Sequence, residues 1–246
     1  MGLLLALRFL TALPLPAAEV KPLQMGRAAA FFPLVGALVG AAVAGVDAGL
    51  RLAFPASVAS AGALVALVLL TGGLHLDGLM DSCDGLFGRR DPARRLEIMR
   101  DSRAGSFGVL GAVCVLLLKF VALLELPAPW LLGGIVAATS VARGAMVLAI
   151  WGFPYARVDG LGRAFKDGIG VPQVAAATVT AAVLALGLLQ WRGVVVLVLA
   201  ALATLLSGLF ICTRIPGLTG DTYGAINEVV EVLVLLALVS LGQDYA

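Results

Sequence analysis

Long apolar stretches separated by short polar ones fill most of this chain. Runs at about 28–50, 56–76, 106–126, 130–151, 172–190, 193–212 and 228–242 each approach the ~20 helical residues that cross a bilayer core of ~30 Å. The pattern predicts an all-α fold, a polytopic integral membrane helical bundle of about seven transmembrane helices. Met1 to Leu13 is apolar but shorter, carries Arg8 in its middle and stops at Pro14 and Pro16. It reads as a re-entrant or interfacial piece, or as a simple amphipathic anchor. A basic first region and a small-residue cleavage site are missing, so it is not expected to be a cleaved signal peptide. Three polar loops, at about 77–105, 152–171 and 213–227, interrupt the spans. With no appended soluble domain, low-complexity tract or internal repeat, residues 1–246 are expected to form a single transmembrane domain.

Composition strengthens the membrane reading. Hydrophobic residues make up 61% of the chain and charged residues 13%, with a mean hydropathy of +1.05, far from an ordinary soluble domain. Positive charge then orients the spans, because short cytoplasmic loops carry the excess of Lys and Arg. With the N-terminus inside, thirteen basic residues fall on the cytoplasmic side: Arg8, Lys21, Arg27, six arginines from Arg89 to Arg103, Arg157, Arg163, Lys166 and Arg214. The other side receives Arg51 and Arg192, while Lys119 and Arg143 lie inside apolar runs. All three polar loops then share the cytoplasmic face. A net charge of +2, with acids interleaved among the bases, excludes a nucleic-acid binder. Cys83, Cys114 and Cys212 form no CxxC pair, so neither a disulfide framework nor a zinc site is expected. Glycine-rich spans permit close helix approach, and a homo-oligomer is compatible with the sequence.

The candidate chemistry is concentrated in residues 72–108, where six acids and six bases crowd between two apolar runs. Asp77, Asp81 and Asp84 stand at i, i+4 and i+7, which on a helix places three carboxylates on one stripe. Their mutual repulsion calls for a cation, and a hard, oxygen-preferring ion such as Mg²⁺ fits. The expected stripe continues the second span at its mouth, and Gly78, Gly85 and Gly88 thin its wall. His75 is the only histidine in the chain; a metal or proton-transfer role and a satisfied polar residue at the membrane surface both remain open.

Downstream, RRLEIMRDSR suggests a short surface helix whose arginines could meet lipid headgroups. Asp101, Ser102 and Arg103 lead into Gly105, Ser106 and Gly108 at the start of the third span, a natural phosphate cradle, so Arg100 and Arg103 are the preferred phosphate ligands. Arg143, deep in the fourth span, marks a partner or a polar cavity. Lys119, with Glu125 near it, is expected to snorkel to the far side. The last loop, from Arg214 to Asn227, exposes Asp221 and Tyr223 among glycines, and leads to Glu228 and Glu231 at the mouth of the final helix. Those glutamates either cap that helix or help bind a nucleoside. Lys166, in the loop at 152–171, completes the candidate substrate-binding set.

Taken in order, RFLTALPLP, GGLHLDGLMDSCDGLFG, LEIMRDSRAGSFGVLG and RIPGLTGDTYGAINEVVE resemble the cobalamin synthase family, also called adenosylcobinamide-GDP ribazoletransferase, over nearly the whole chain. Met80 and Cys83 depart from that pattern between the aspartates and leave the stripe intact. The resemblance implies an enzyme of the cytoplasmic (inner) membrane of a prokaryote, with its active site facing the cytoplasm. It would transfer adenosylcobinamide phosphate from adenosylcobinamide-GDP to the ribose of α-ribazole or its 5′-phosphate, with Mg²⁺ as cofactor and GMP released. On this reading Asp77, Asp81 and Asp84 hold Mg²⁺, and Asp81 or Asp84 takes the ribose proton instead. Arg100, Arg103 and Arg143 meet phosphates, and Asp221 to Glu228 receive the nucleoside.

Other membrane readings fit less well. A CDP-alcohol phosphotransferase begins its signature DGxxAR, but Asp77-Gly78 runs on into Leu79, Met80, Asp81 and Ser82. An NDxxDxxxD prenyltransferase motif fails on the intervals. A cation-coupled transporter would want its acids at the bilayer midplane.

Overall fold

The computed structural model describes residues 1–16, 22–88 and 90–242; Lys21 and Arg89, both counted in the charge asymmetry, lie outside them. Among the described residues the regular structure is helical, joined by short turns, with one isolated backbone bridge between Tyr155 and Leu218. Six helical stretches are long and apolar enough to cross a membrane, and a seventh crossing results if a bent pair counts as one span. The chain is a multi-pass membrane protein.

Two short helices, α1 (Gly2–Leu10) and α2 (Pro22–Ala28), precede α3 (Phe32–Leu50) and α4 (Ala56–Thr71). The expected continuous span at 56–76 is broken. Gly72 and Gly73 both take left-handed backbone conformations, at φ 61° and 69°, which glycine adopts without a Cβ penalty. The chain turns by 87° into α5 (Leu74–Leu86), so the acidic stripe lies across the second span's end instead of prolonging it. Then come α6 (Pro92–Ile98), α7 (Ser106–Glu125) and α8 (Leu131–Gly152), followed by α9 (Leu161–Gly168), α10 (Val171–Leu189), α11 (Trp191–Cys212) and α12 (Gly220–Leu241).

Helix α8 is the hub. It is apolar on all sides and buried along most of its length, as a helix in the centre of a bundle must be. Its Gly, Ala and Ser positions let α3, α10 and α12 approach closely.

The loop expected at 213–227 is helical from Gly220 onward. Thr219 caps this helix: its hydroxyl accepts from the Thr222 N–H, while the Thr222 hydroxyl accepts from the Thr219 N–H at 2.8 Å. Asp221, Tyr223, Asn227 and Glu228 therefore occupy the first turns of a span, not a loop.

Contacts sort the helix ends into two faces. At one, α5 meets the starts of α7 and α12, while Phe9 of α1, Phe32 of α3 and Phe165 of α9 form an aromatic cluster, with ring centroids 4.6 Å apart for Phe9 and Phe165. At the other, Arg51 bonds Asp47 and Ser60 across the α3–α4 turn, and the Arg192 guanidinium stacks 3.9 Å over Trp130.

Candidate active site

The site forms where α5 crosses α12. A side chain at Gly78 would place its Cβ 2.7 Å from the Asp221 carbonyl oxygen, and one at Gly224 would come within 3.1 Å of the His75 carbonyl oxygen. Glycine at position 78 is required for this approach and at 224 relieves it, which sets Asp221 beside the α5 stripe. Asp81 then faces the charges of Asp77, Asp221 and Asp84, with Arg157 as the nearby cation. Arg157 pairs with Asp221 at 2.8 Å, and Asp221 also accepts from the Thr219 hydroxyl at 3.2 Å. The Tyr155–Leu218 bridge holds Arg157 there, through Ala156 N–H to Leu218 O and Leu218 N–H to Pro154 O, both 2.8 Å.

The three α5 aspartates are not equivalent. Asp84 accepts from Gly105 N–H at 2.8 Å and Gly108 N–H at 2.9 Å, one per carboxylate oxygen. The expected phosphate cradle at the start of α7 is thus filled by Asp84, a carboxylate at a helix N-terminus where the backbone donors favour an anion. The carboxylates of Asp77 and Asp81 make no hydrogen bond or ion pair among the described residues.

A cavity of about 270 Å³ opens beside these acids. Phe9, Phe165, Met146 and Ile150 give it an apolar floor, and Asp77, Asp221 and Arg157 a charged side. Tyr155 and Tyr223 stack with centroids 6.2 Å apart. Burial pushes the Tyr155 phenol up, so it stays a neutral hydroxyl.

The remaining predicted residues divide clearly. His75, Asp77, Asp221 and Tyr223 lie on the cavity wall. Arg143, Asn227 and Glu228 are buried behind it and do not reach the cavity. Lys119 does not snorkel toward Glu125; it is buried between Glu228 and Glu231 at 2.7 Å from each, so these glutamates are not helix caps. Arg103 bonds Asp101, holding that carboxyl down at about 2, in the exposed segment with Arg100 and Ser102, and none of the four lines the cavity. Lys166 donates to the Ile150 and Trp151 carbonyls at 2.9 Å, closing the end of α8, and burial lowers its pKa. Arg214 lies 5.2 Å over the Phe210 ring, away from the cavity. Sequence reasoning passed over Tyr155, Arg157, Phe9 and Phe165 as site residues. The signal for Arg157 was its position five residues beyond the end of α8, in FPYAR.

No three His, Cys, Asp or Glu groups among the described residues converge closely enough to hold one ion by themselves. The donor set still suits Mg²⁺, which usually takes one or two carboxylates and completes its shell with water and substrate oxygens. Unpaired Asp77 and half-engaged Asp221 supply such a pair.

The Cobalamin-5-phosphate synthase family model matches residues 2–239. The chain belongs to that family. It is 42% identical to the adenosylcobinamide-GDP ribazoletransferase of Desulforamulus reducens, over 99% of this chain and 97% of that one. Against the enzymes of that name from Geotalea daltonii and Escherichia coli the identities are 40% and 39%, covering 96% and 94% of this chain and 96% of each relative. No solved structure matches the chain. Membership makes this chain a transferase of cobalamin synthesis.

Proposed function

We propose that the chain transfers adenosylcobinamide phosphate from adenosylcobinamide-GDP to the 3′-hydroxyl of α-ribazole or its 5′-phosphate, releasing GMP, at the cytoplasmic face of a prokaryotic inner membrane. The observation that carries this reading is the meeting of Asp77, Asp81 and Asp221 with Arg157 beside an aromatic cavity. Asp77 and Asp221 would hold Mg²⁺, which when bound offsets the charge of the pyrophosphate. Arg157, already braced by Asp221, is the nearest protein cation for a phosphate oxygen. The floor of Phe9, Phe165, Met146 and Ile150 offers nothing to the polar edges of guanine but suits the methylated benzimidazole of the acceptor. Asp81, which stands beside Asp77 and Asp221 with its carboxylate free of hydrogen bonds among the described residues, would take the 3′-hydroxyl proton. Asp84 is left out of both roles because its oxygens are already engaged.

The test is reconstitution in lipid nanodiscs with adenosylcobinamide-GDP, α-ribazole 5′-phosphate and Mg²⁺. A corrinoid product and GMP in equal amounts are expected. Corrinoid left unchanged would overturn the reading, and corrinoid uptake into vesicles without GMP would replace it with transport.

A further inference from the structure

Behind the cavity wall runs a buried ionic chain that the proposed reaction does not use. Lys119 of α7 donates to Glu228 Oε2 and Glu231 Oε1 of α12, each at 2.7 Å. The other Glu231 oxygen pairs with Arg143 of α8, and Arg143 Nη2 lies 3.4 Å from Nδ1 of His75 on α5. All five side chains are buried, and their two cations and two anions balance, which makes the group tolerable inside a bilayer.

The last contact decides the chemistry of His75. A guanidinium carries only donors and does not deprotonate in proteins, so the imidazole atom facing it must offer a lone pair. The ring proton is then on Nε2, since a proton on Nδ1 would set N–H against N–H. Nε2 itself is buried and has no hydrogen-bond partner among the described residues, and His75 forms part of the cavity wall.

We infer that His75 is held as the neutral Nε2–H tautomer and donates a hydrogen bond to an oxygen of the bound substrate, acting as neither base nor metal ligand. Arg143, Glu231 and Lys119 are positioning residues that act through it. That the oxygen belongs to a phosphate rests on the transferase reading above; the tautomer does not. A neutral donor strengthens as negative charge develops on such an oxygen and adds no net charge to a site already crowded with carboxylates.

Because His75 is the only histidine, ¹⁵N-labelled imidazole in protein purified on a tag without histidine gives a single residue's signals. Long-range ¹H–¹⁵N correlations in nanodiscs should place the proton on Nε2 and leave Nδ1 bare, and adenosylcobinamide-GDP should shift the Nε2–H resonance. A proton on Nδ1, or averaging between tautomers, overturns the inference.

Two conservative variants add a functional reading. The amide nitrogen of His75→Gln lies near the position of Nε2 and that of His75→Asn near Nδ1, so turnover should fall at least ~10-fold further in Asn than in Gln, as for loss of a hydrogen bond to a charged group. Equal activities would remove the donor role. Arg143→Met should release the tautomer into a mixture; if that variant does not fold, the wild-type spectrum still decides. Nε2–H without corrinoid product would sink the transferase reading alone, and product with the proton on Nδ1 would sink this inference alone.

Discussion

Asp77 and Asp84 sit on one stripe of one short helix, yet they do different work. Asp84 spends both oxygens on the first N–H groups of α7, whereas the Asp77 carboxylate has no partner among the described residues and faces the cavity. Asp77→Asn should therefore abolish turnover with folding intact, or restore part of it only at raised Mg²⁺, measured as GMP release across a Mg²⁺ titration. Asp84→Ala should lower stability by about 1 kcal/mol, the usual cost of a lost N-terminal cap. Its residual activity should keep the wild-type Mg²⁺ dependence; a shifted dependence would return Asp84 to the metal site. Spacing made the stripe legible from sequence, because i, i+4 and i+7 fix a helix face regardless of context. The division of labour was not legible, because the Asp84 donors come from Gly105 and Gly108 and the third acid of the cluster, Asp221, comes from the far end of the chain.

At the level of elements, two helix boundaries decide the site, and both were obscured by composition. The apolar run through Leu76 reads as one span because glycine is common in membrane helices, so the Gly72–Gly73 pair gave little warning of an 87° turn. The start of α12 is rich in Gly, Thr and Asp, residues that also mark loops; what makes it helical is the reciprocal Thr219–Thr222 cap. Once both helices are in place, their glycine crossing sets how near Asp221 comes to Asp77 and Asp81. Gly78→Ala puts a methyl 2.7 Å from the Asp221 carbonyl oxygen, so α12 must retreat. The expected result is helix content unchanged by circular dichroism, stability lowered by roughly 1–3 kcal/mol as for overpacking, and turnover reduced with it. Full activity in this variant would mean that the crossing does not set the acid cluster.

Across the whole molecule, charge is arranged on two scales. The apolar runs were readable because they depend on local composition alone, and six of them are single long helices while the run at 56–76 ends in the bent pair; the basic residues of the polar loops give the expected orientation. Those bases predict that a cysteine at Arg214 is labelled by a membrane-impermeant maleimide only after inside-out vesicles are made, and one at Arg51 only in intact cells. The reverse pattern would place the site outside. The interior charges were harder to read, since Lys119 on its own looks like a residue reaching for the interface. Its true partners, Glu228 and Glu231, lie on a helix more than one hundred residues away, at positions that read from sequence as helix caps or nucleoside ligands. In the bundle these buried groups tie α7, α8 and α12 together. Removing one member leaves an uncompensated buried charge, so Lys119→Met should cost roughly 3–5 kcal/mol, read as a large fall in the thermal midpoint in nanodiscs. Pairing it with Glu228→Gln removes the stranded carboxylate. The double variant should therefore be more stable than Lys119→Met alone, with a coupling of about 1–3 kcal/mol in the double-mutant cycle. Additive losses would mean that Lys119 and Glu228 do not interact in the folded protein.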